Sequence, residues 1–180
     1  MCRQIAENLR NAAELDLASH RDSVTGLPNL RQLEALLDTK IGDSITCSSN
    51  LTLLFVDIID FREISALYGA SVGNDVLRHV VQHCEAGLRR ADILFRTGSE
   101  QFVVILNDVG TAEAEVTGEQ IREAIHSTPL QHGLSGSIQL EVTVAPVSCP
   151  TDGKSFRLLA QTALGKTQSS ESVRRSPTAL

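Results

Sequence analysis

The sequence predicts an α+β fold in which a βαββαβ chain order builds one antiparallel sheet flanked by helices. Three observations carry that expectation. "LTLLFVDII", at 51–59, is an unbroken apolar run of β-formers, the pattern of a strand buried on both faces. Val72, Val76, Val80, Cys84 and Leu88 recur every four residues with Leu77 and Val81 alongside, which is one apolar helix face. "DILFR" and "QFVVIL" are short apolar runs parted by the glycine-containing "TGSE", which reads as a hairpin. Composition agrees: 180 residues that are 42% hydrophobic are enough for one core. With 3% aromatics and no Trp, that core is built from Leu, Val, Ile and Ala.

The elements follow in order. Residues 1–21, with Ile5, Leu9 and Ala12 at helical spacing, predict a linker helix joining an upstream module. The domain proper is expected over 22–168. "SVTGLPNL" breaks the helical pattern with Gly26 and Pro28. Asn29 is then placed to cap a helix with Leu30, Leu33 and Leu37 on its buried face. "GDSITCSSN" reads as a polar loop before the first strand, and Gly69 and Gly73 as a short turn before the four-spaced helix. After the hairpin, "TAEAEVTGEQIREAIHS" is a helix buried through Ile121, Ala124 and Ile125. "IQLEVTVAPV" is a strand, "PTDG" a turn and "SFRLLAQTALGK" a last helix, with a polar tail or linker over 169–180. Strand, helix, hairpin, helix, strand resembles a ferredoxin-like sheet with helices on one face. There the first strand and the second hairpin strand are central neighbours. Asp57 and Glu100 are then brought together, a pair of carboxylates suited to a hard cation such as Mg²⁺.

Charge and cysteines narrow the classes. A net charge of −6 argues against a binder of nucleic acid polymers, which needs a basic face. Cys2, Cys47, Cys84 and Cys149 are scattered with no CxxC pair, as in a reduced cytoplasmic chain. No apolar run is long enough to span a bilayer, so a membrane anchor of the parent protein would lie outside this chain. His79, His83, His126 and His132 show no partner pattern.

From Asp22 to Gln168 the chain resembles the GGDEF domains, the family that includes diguanylate cyclases. "DSVTGLPN" is similar to that family's leading motif, "LLFVDIIDFREISALYGASVGNDVL" to its first strand, helix and glycine turn, and "RADILFRTGSEQFVVIL" to its signature hairpin. The resemblance implies that two GTP molecules, one on each subunit of a homodimer, are joined into cyclic di-GMP with the help of Mg²⁺. It implies metal ligation by Asp57, the Ile58 carbonyl and Glu100. In the signature itself Gly98, Glu100 and Phe102 fit, while Ser99 replaces a glycine and Gln101 a glutamate. Gln101 has no charge for a metal and takes no proton, and Ser99 would be penalised at φ > 0. Ser65 stands for the usual Asn and Asn74 for the usual Asp of guanine recognition. Gly165 replaces a Tyr and Gln168 the phosphate-binding Lys, with Lys166 two positions early.

Arg89-x-x-Asp92, with five residues between Asp92 and Gly98, matches the spacing of the family's inhibitory site for cyclic di-GMP. Arg reads a guanine edge bidentately and a carboxylate accepts from its N–H groups. The supporting Arg of the next helix would fall at Gln120, with Arg122 nearby. The expectation is a degenerate, catalytically inactive domain that regulates through cyclic di-GMP or GTP, with an EAL domain following in the parent chain. A weakly active cyclase and a non-binding dimerisation connector are the alternatives.

Overall fold

The strand with the longest apolar run lies inside the sheet. In this computed structural model, which describes residues 20–47, 50–133 and 136–174, β1 (Leu51–Ile58) is hydrogen-bonded on both sides. Its antiparallel neighbours are β3 (Gln101–Asn107) and β6 (Val142–Cys149), and β2 (Ile93–Arg96) completes the order β2-β3-β1-β6. The central pairing of the first strand with the second hairpin strand is thus as expected. Pro146, which has no N–H for a ladder, lies on the edge strand, where one is not required.

Helices cover both faces of this sheet, not one. On one side Leu54, Val56, Phe102 and Val104 pack against α3 (Ala70–Gly87) and α4 (Thr111–Ser127) through Val76, Val80, Cys84, Ile121 and Ile125. On the other, Leu53, Val103, Ile105 and Val147 meet α1 (Leu30–Cys47) and α5 (Phe156–Arg174) through Leu33, Leu37, Leu159 and Ala163. The physical reason is already in β1: a strand apolar on both faces needs cover on both. Cys84 belongs to this core, and burial pushes its thiol up to about 12.

Several boundaries differ from the sequence reading. The expected leading helix lies outside the described residues apart from His20 and Arg21. The stretch read as a polar loop is helical to Cys47, because Ile41 and Ser44 extend the Leu33–Leu37 stripe into the core. There the Ser44 hydroxyl is satisfied by the Ile41 carbonyl. Asn29 does cap α1, accepting from the Gln32 N–H at 3.3 Å. A short helix, α2 (Phe61–Tyr68), precedes α3. Gly69 joins the two at φ 91°, a conformation that favours glycine. Gly73 is not in that turn but inside α3, where an added Cβ would come within 2.5 Å of Ser65 Oγ. A second small hairpin, β4 (Leu130–His132) with β5 (Gly136–Ile138), cuts the strand read from Ile138 onwards. The backbone of α5 stays helical to Arg174.

Candidate functional site

Antiparallel pairing sets Asp57 directly opposite Gln101 at the end of β1. One residue on, the Ile58 N–H donates to the Glu100 carbonyl at 3.2 Å. The Thr97 and Gly98 N–H groups both donate to the Gln101 carbonyl, at 2.9 and 3.3 Å, and close the turn. Ser99 is not among the positive-φ residues, so the expected penalty for a side chain at that position does not arise.

A cation behind the turn fixes it. Arg96 donates from Nε to the Gly98 carbonyl at 3.1 Å and from one terminal nitrogen to the Ser99 carbonyl at 2.7 Å. Its other terminal nitrogen reaches Asp22 Oδ1 at 2.8 Å. Asp22 also accepts from the Thr25 N–H at 2.8 Å and the Thr25 hydroxyl at 2.7 Å. Burial alone would raise this carboxyl, but the hydrogen bonds from Thr25 and Arg96, with the Arg96 charge, hold it below its ordinary range. Both residues lie inside motifs of the sequence, but no local pattern pairs them, because 74 positions separate them.

The outward side chains are engaged with each other. Gln101 Nε2 donates to Asp57 Oδ2 at 2.8 Å. Glu100 receives the Ser99 hydroxyl and an ion pair from Arg62 at 3.6 Å. Arg62, 82% exposed, was not singled out in the sequence. A hard divalent cation wants several convergent oxygens. Asp57, the Ile58 carbonyl and Glu100 are the groups that the family resemblance expects to hold Mg²⁺, and an amide donor rests on one of the two carboxylates. That N–H offers a cation no lone pair, so Asp57 would have to release it before ligating.

The positions expected to recognise the base lie on neighbouring helices, Ser65 on α2 and Asn74 on α3. Ser65 Oγ is buried with no hydrogen-bond partner, packed over Gly73. On α5, Lys166 donates to the Pro146 carbonyl at 2.8 Å and pairs with Asp152 at 3.3 Å. It is thus committed to the end of β6. Gly165 is exposed, and the side chain of Gln168 lies outside those described.

Arg89 and Asp92 share one turn but their side chains do not pair. Asp92 accepts from the Arg89 backbone N–H at 2.9 Å and from the Asn107 N–H at 3.4 Å. The Arg89 guanidinium reaches instead to Glu113 on α4, both ends half exposed. Arg122 is held on its own helix by Glu119, whose hydrogen bond and charge raise its pKa against a smaller opposing effect of burial. Arg21, Arg89, Arg90 and Asp92 line a cleft of about 460 Å³ beside the 26–28 loop.

With this geometry in view, the comparisons with known proteins are consistent. The family described as diguanylate cyclase, GGDEF domain, matches residues 19–174. Diguanylate cyclase DgcM of Escherichia coli K12 is 31% identical over 144 residues, covering 80% of this chain and 30% of that protein. The GGDEF domain of TpbB (YfiN) from Pseudomonas aeruginosa superimposes with a TM-score of 0.79 at 24% identity, over 86% of this chain and 90% of that one. The GGDEF domain of DgcB from Caulobacter crescentus, solved in complex with c-di-GMP, also gives 0.79, at 19% identity, over 87% and 90%. The chain spans less than a third of the length of the curated relatives it matches.

Proposed function

The chain belongs to the GGDEF family of diguanylate cyclase domains, and from that premise we propose that it is a regulatory module of cyclic di-GMP signalling whose cyclase chemistry is lost. The observation that carries this reading is the Gln101 amide bonded to Asp57. In a working site that carboxylate faces a cation, and a glutamate beside it adds charge. Here an N–H donor fills the same place, and Gln101 cannot ligate as an anion or move a proton. Ser65 and Asn74 offer only neutral groups to a guanine, so base recognition loses its charge-assisted bond.

Cyclic di-GMP itself is the ligand, taken by Arg89 and Asp92 in the cleft they share with Arg21 and Arg90. Three guanidiniums around one opening suit a ligand with two phosphates and two guanines. To bind, Arg89 exchanges its exposed pair with Glu113, worth little in water, for the guanine edge. The domain is placed at 22–168, and the backbone of its last helix continues to Arg174. It works in the cytoplasm as a homodimer, ahead of an EAL domain in a parent protein anchored elsewhere. No described helix is long and apolar enough to cross a membrane.

The test is to incubate the purified chain with GTP and Mg²⁺ and follow product by chromatography, then to titrate cyclic di-GMP by calorimetry. The expected result is no product and saturable binding that is lost in Arg89→Ala. Product that disappears in Asp57→Ala would instead establish the weakly active cyclase, which the retained Asp57 and Glu100 favour. Binding of neither nucleotide would leave a dimerisation connector.

A further inference from the structure

We infer that His79 and His83 form a two-imidazole site for a borderline divalent cation of the Zn²⁺, Ni²⁺ or Cu²⁺ class. The two residues stand one turn apart on α3, so their side chains project from the same strip of helix surface. Their ring centroids are 4.5 Å apart and the rings are tilted by 57°, which is not a parallel stack. Metal–imidazole bonds are about 2.0–2.1 Å, and a ring nitrogen is roughly 1 Å from its ring centre. Two imidazoles meeting at about 90–110° around one cation therefore have centroids roughly 4.5–5 Å apart. The observed separation lies at the edge of that range without any movement of the helix.

His79 Nε2 is 2.8 Å from the Thr128 carbonyl, which only accepts. Nε2 therefore carries the proton, and in the neutral ring Nδ1 keeps its lone pair. A ligating histidine is ordinarily held in this way, its other N–H given to a carbonyl that fixes the ring. Both side chains are partly exposed, so an ion reaches them from solvent. Cys84, next to His83, is turned into the core and takes no part. With two protein nitrogens and no third acidic or imidazole group converging among the described residues, water completes the coordination. Imidazole donors select the later first-row metals over Mg²⁺ or Ca²⁺.

The experiment titrates the whole chain with Ni²⁺, Zn²⁺ and Cu²⁺ by calorimetry, with Cu²⁺ also followed by its visible absorbance. Two variants accompany it. His83→Ala breaks no hydrogen bond among the described residues. His79→Gln keeps an amide donor for the Thr128 carbonyl while removing the imidazole. Their metal-free melting curves should match that of the parent chain. The parent should take up one cation per chain and melt higher with Ni²⁺ present. Each variant should bind at least about tenfold more weakly and lose that shift. No saturable uptake by the parent, or uptake of unchanged strength in either variant, overturns the assignment.

Discussion

Two short turns of this domain, at 97–100 and at 88–92, are each built on an arginine and an aspartate, and they divide the work differently. In the first, Arg96 and Asp22 hold the backbone from behind, while the Ser99 and Gln101 side chains are exposed. Fold and chemistry rest on separate residues, so the outward ones can change and the hairpin still forms. In the second, the Asp92 carboxylate itself ties the turn to Arg89 and to β3. That aspartate is accounted for by the fold alone. The residue that discriminates a ligand site from a mere turn is therefore Arg89, whose guanidinium holds no backbone together.

The largest effect that bears on this contrast is recovered chemistry. The double substitution Ser99→Gly, Gln101→Glu should raise product formation from GTP and Mg²⁺ on the order of 10²-fold or more over the parent chain. With Mg²⁺ present to offset the added carboxylate beside Asp57, its unfolding free energy should fall by no more than about 1 kcal/mol. A stability loss several times larger, read by urea denaturation, would show that the outward residues do carry the turn.

The framework should respond in the opposite way. Arg96→Met removes the cation from a pair whose side chains are 11% and 21% exposed and leaves two turn carbonyls without their donor. About 3 kcal/mol of stability should be lost, measured by urea denaturation. A loss below about 1 kcal/mol would mean that the hairpin is held by its strands alone.

At the second turn the two partners should separate. Asp92→Ala should cost about 1–2 kcal/mol because two N–H groups lose an anionic acceptor. Arg89→Ala should cost no more than about 0.5 kcal/mol, since its pair with Glu113 is solvent-exposed. If both weaken cyclic di-GMP binding while only Asp92→Ala weakens the fold, the division of roles stands. Equal stability losses would erase it.

Much of this fold was legible in the sequence where one strong pattern had a single reading. The continuous run at 51–58 could only be an inner strand, and the four-residue spacing of Val72 to Cys84 only a helix face. Weak patterns failed where tertiary packing decided. Residues 42–47 are polar in sequence, yet Ile41 and Ser44 draw them into α1 against the sheet. The three-residue strands β4 and β5 are mostly exposed and carry too little alternation to be seen. At the site, strand order was enough to set Asp57 beside the hairpin. Where each side chain ends was not legible. Gln101 on Asp57, Arg62 on Glu100 and Arg96 on Asp22 are long-range pairings that no local periodicity encodes.

The smallest effect sharpens the account of the first turn through pH. Against the opposing effect of burial, the Asp22 carboxyl is held below its ordinary value of 3.8 by Thr25 and Arg96, so the folded state binds its proton less readily than the unfolded chain does. Such a group stabilises the fold above its unfolded pKa, and the contribution fades as pH falls through the folded value. Asp22→Asn keeps the shape and an acceptor oxygen but has no charge to lose. The parent should therefore be more stable than the variant by about 1 kcal/mol at neutral pH, with the gap steady down to about pH 5 and shrinking towards about pH 3. A gap that stays constant across that range would mean that Arg96 and Thr25 hold Asp22 by geometry alone, and that the charge behind the hairpin contributes nothing to the turn.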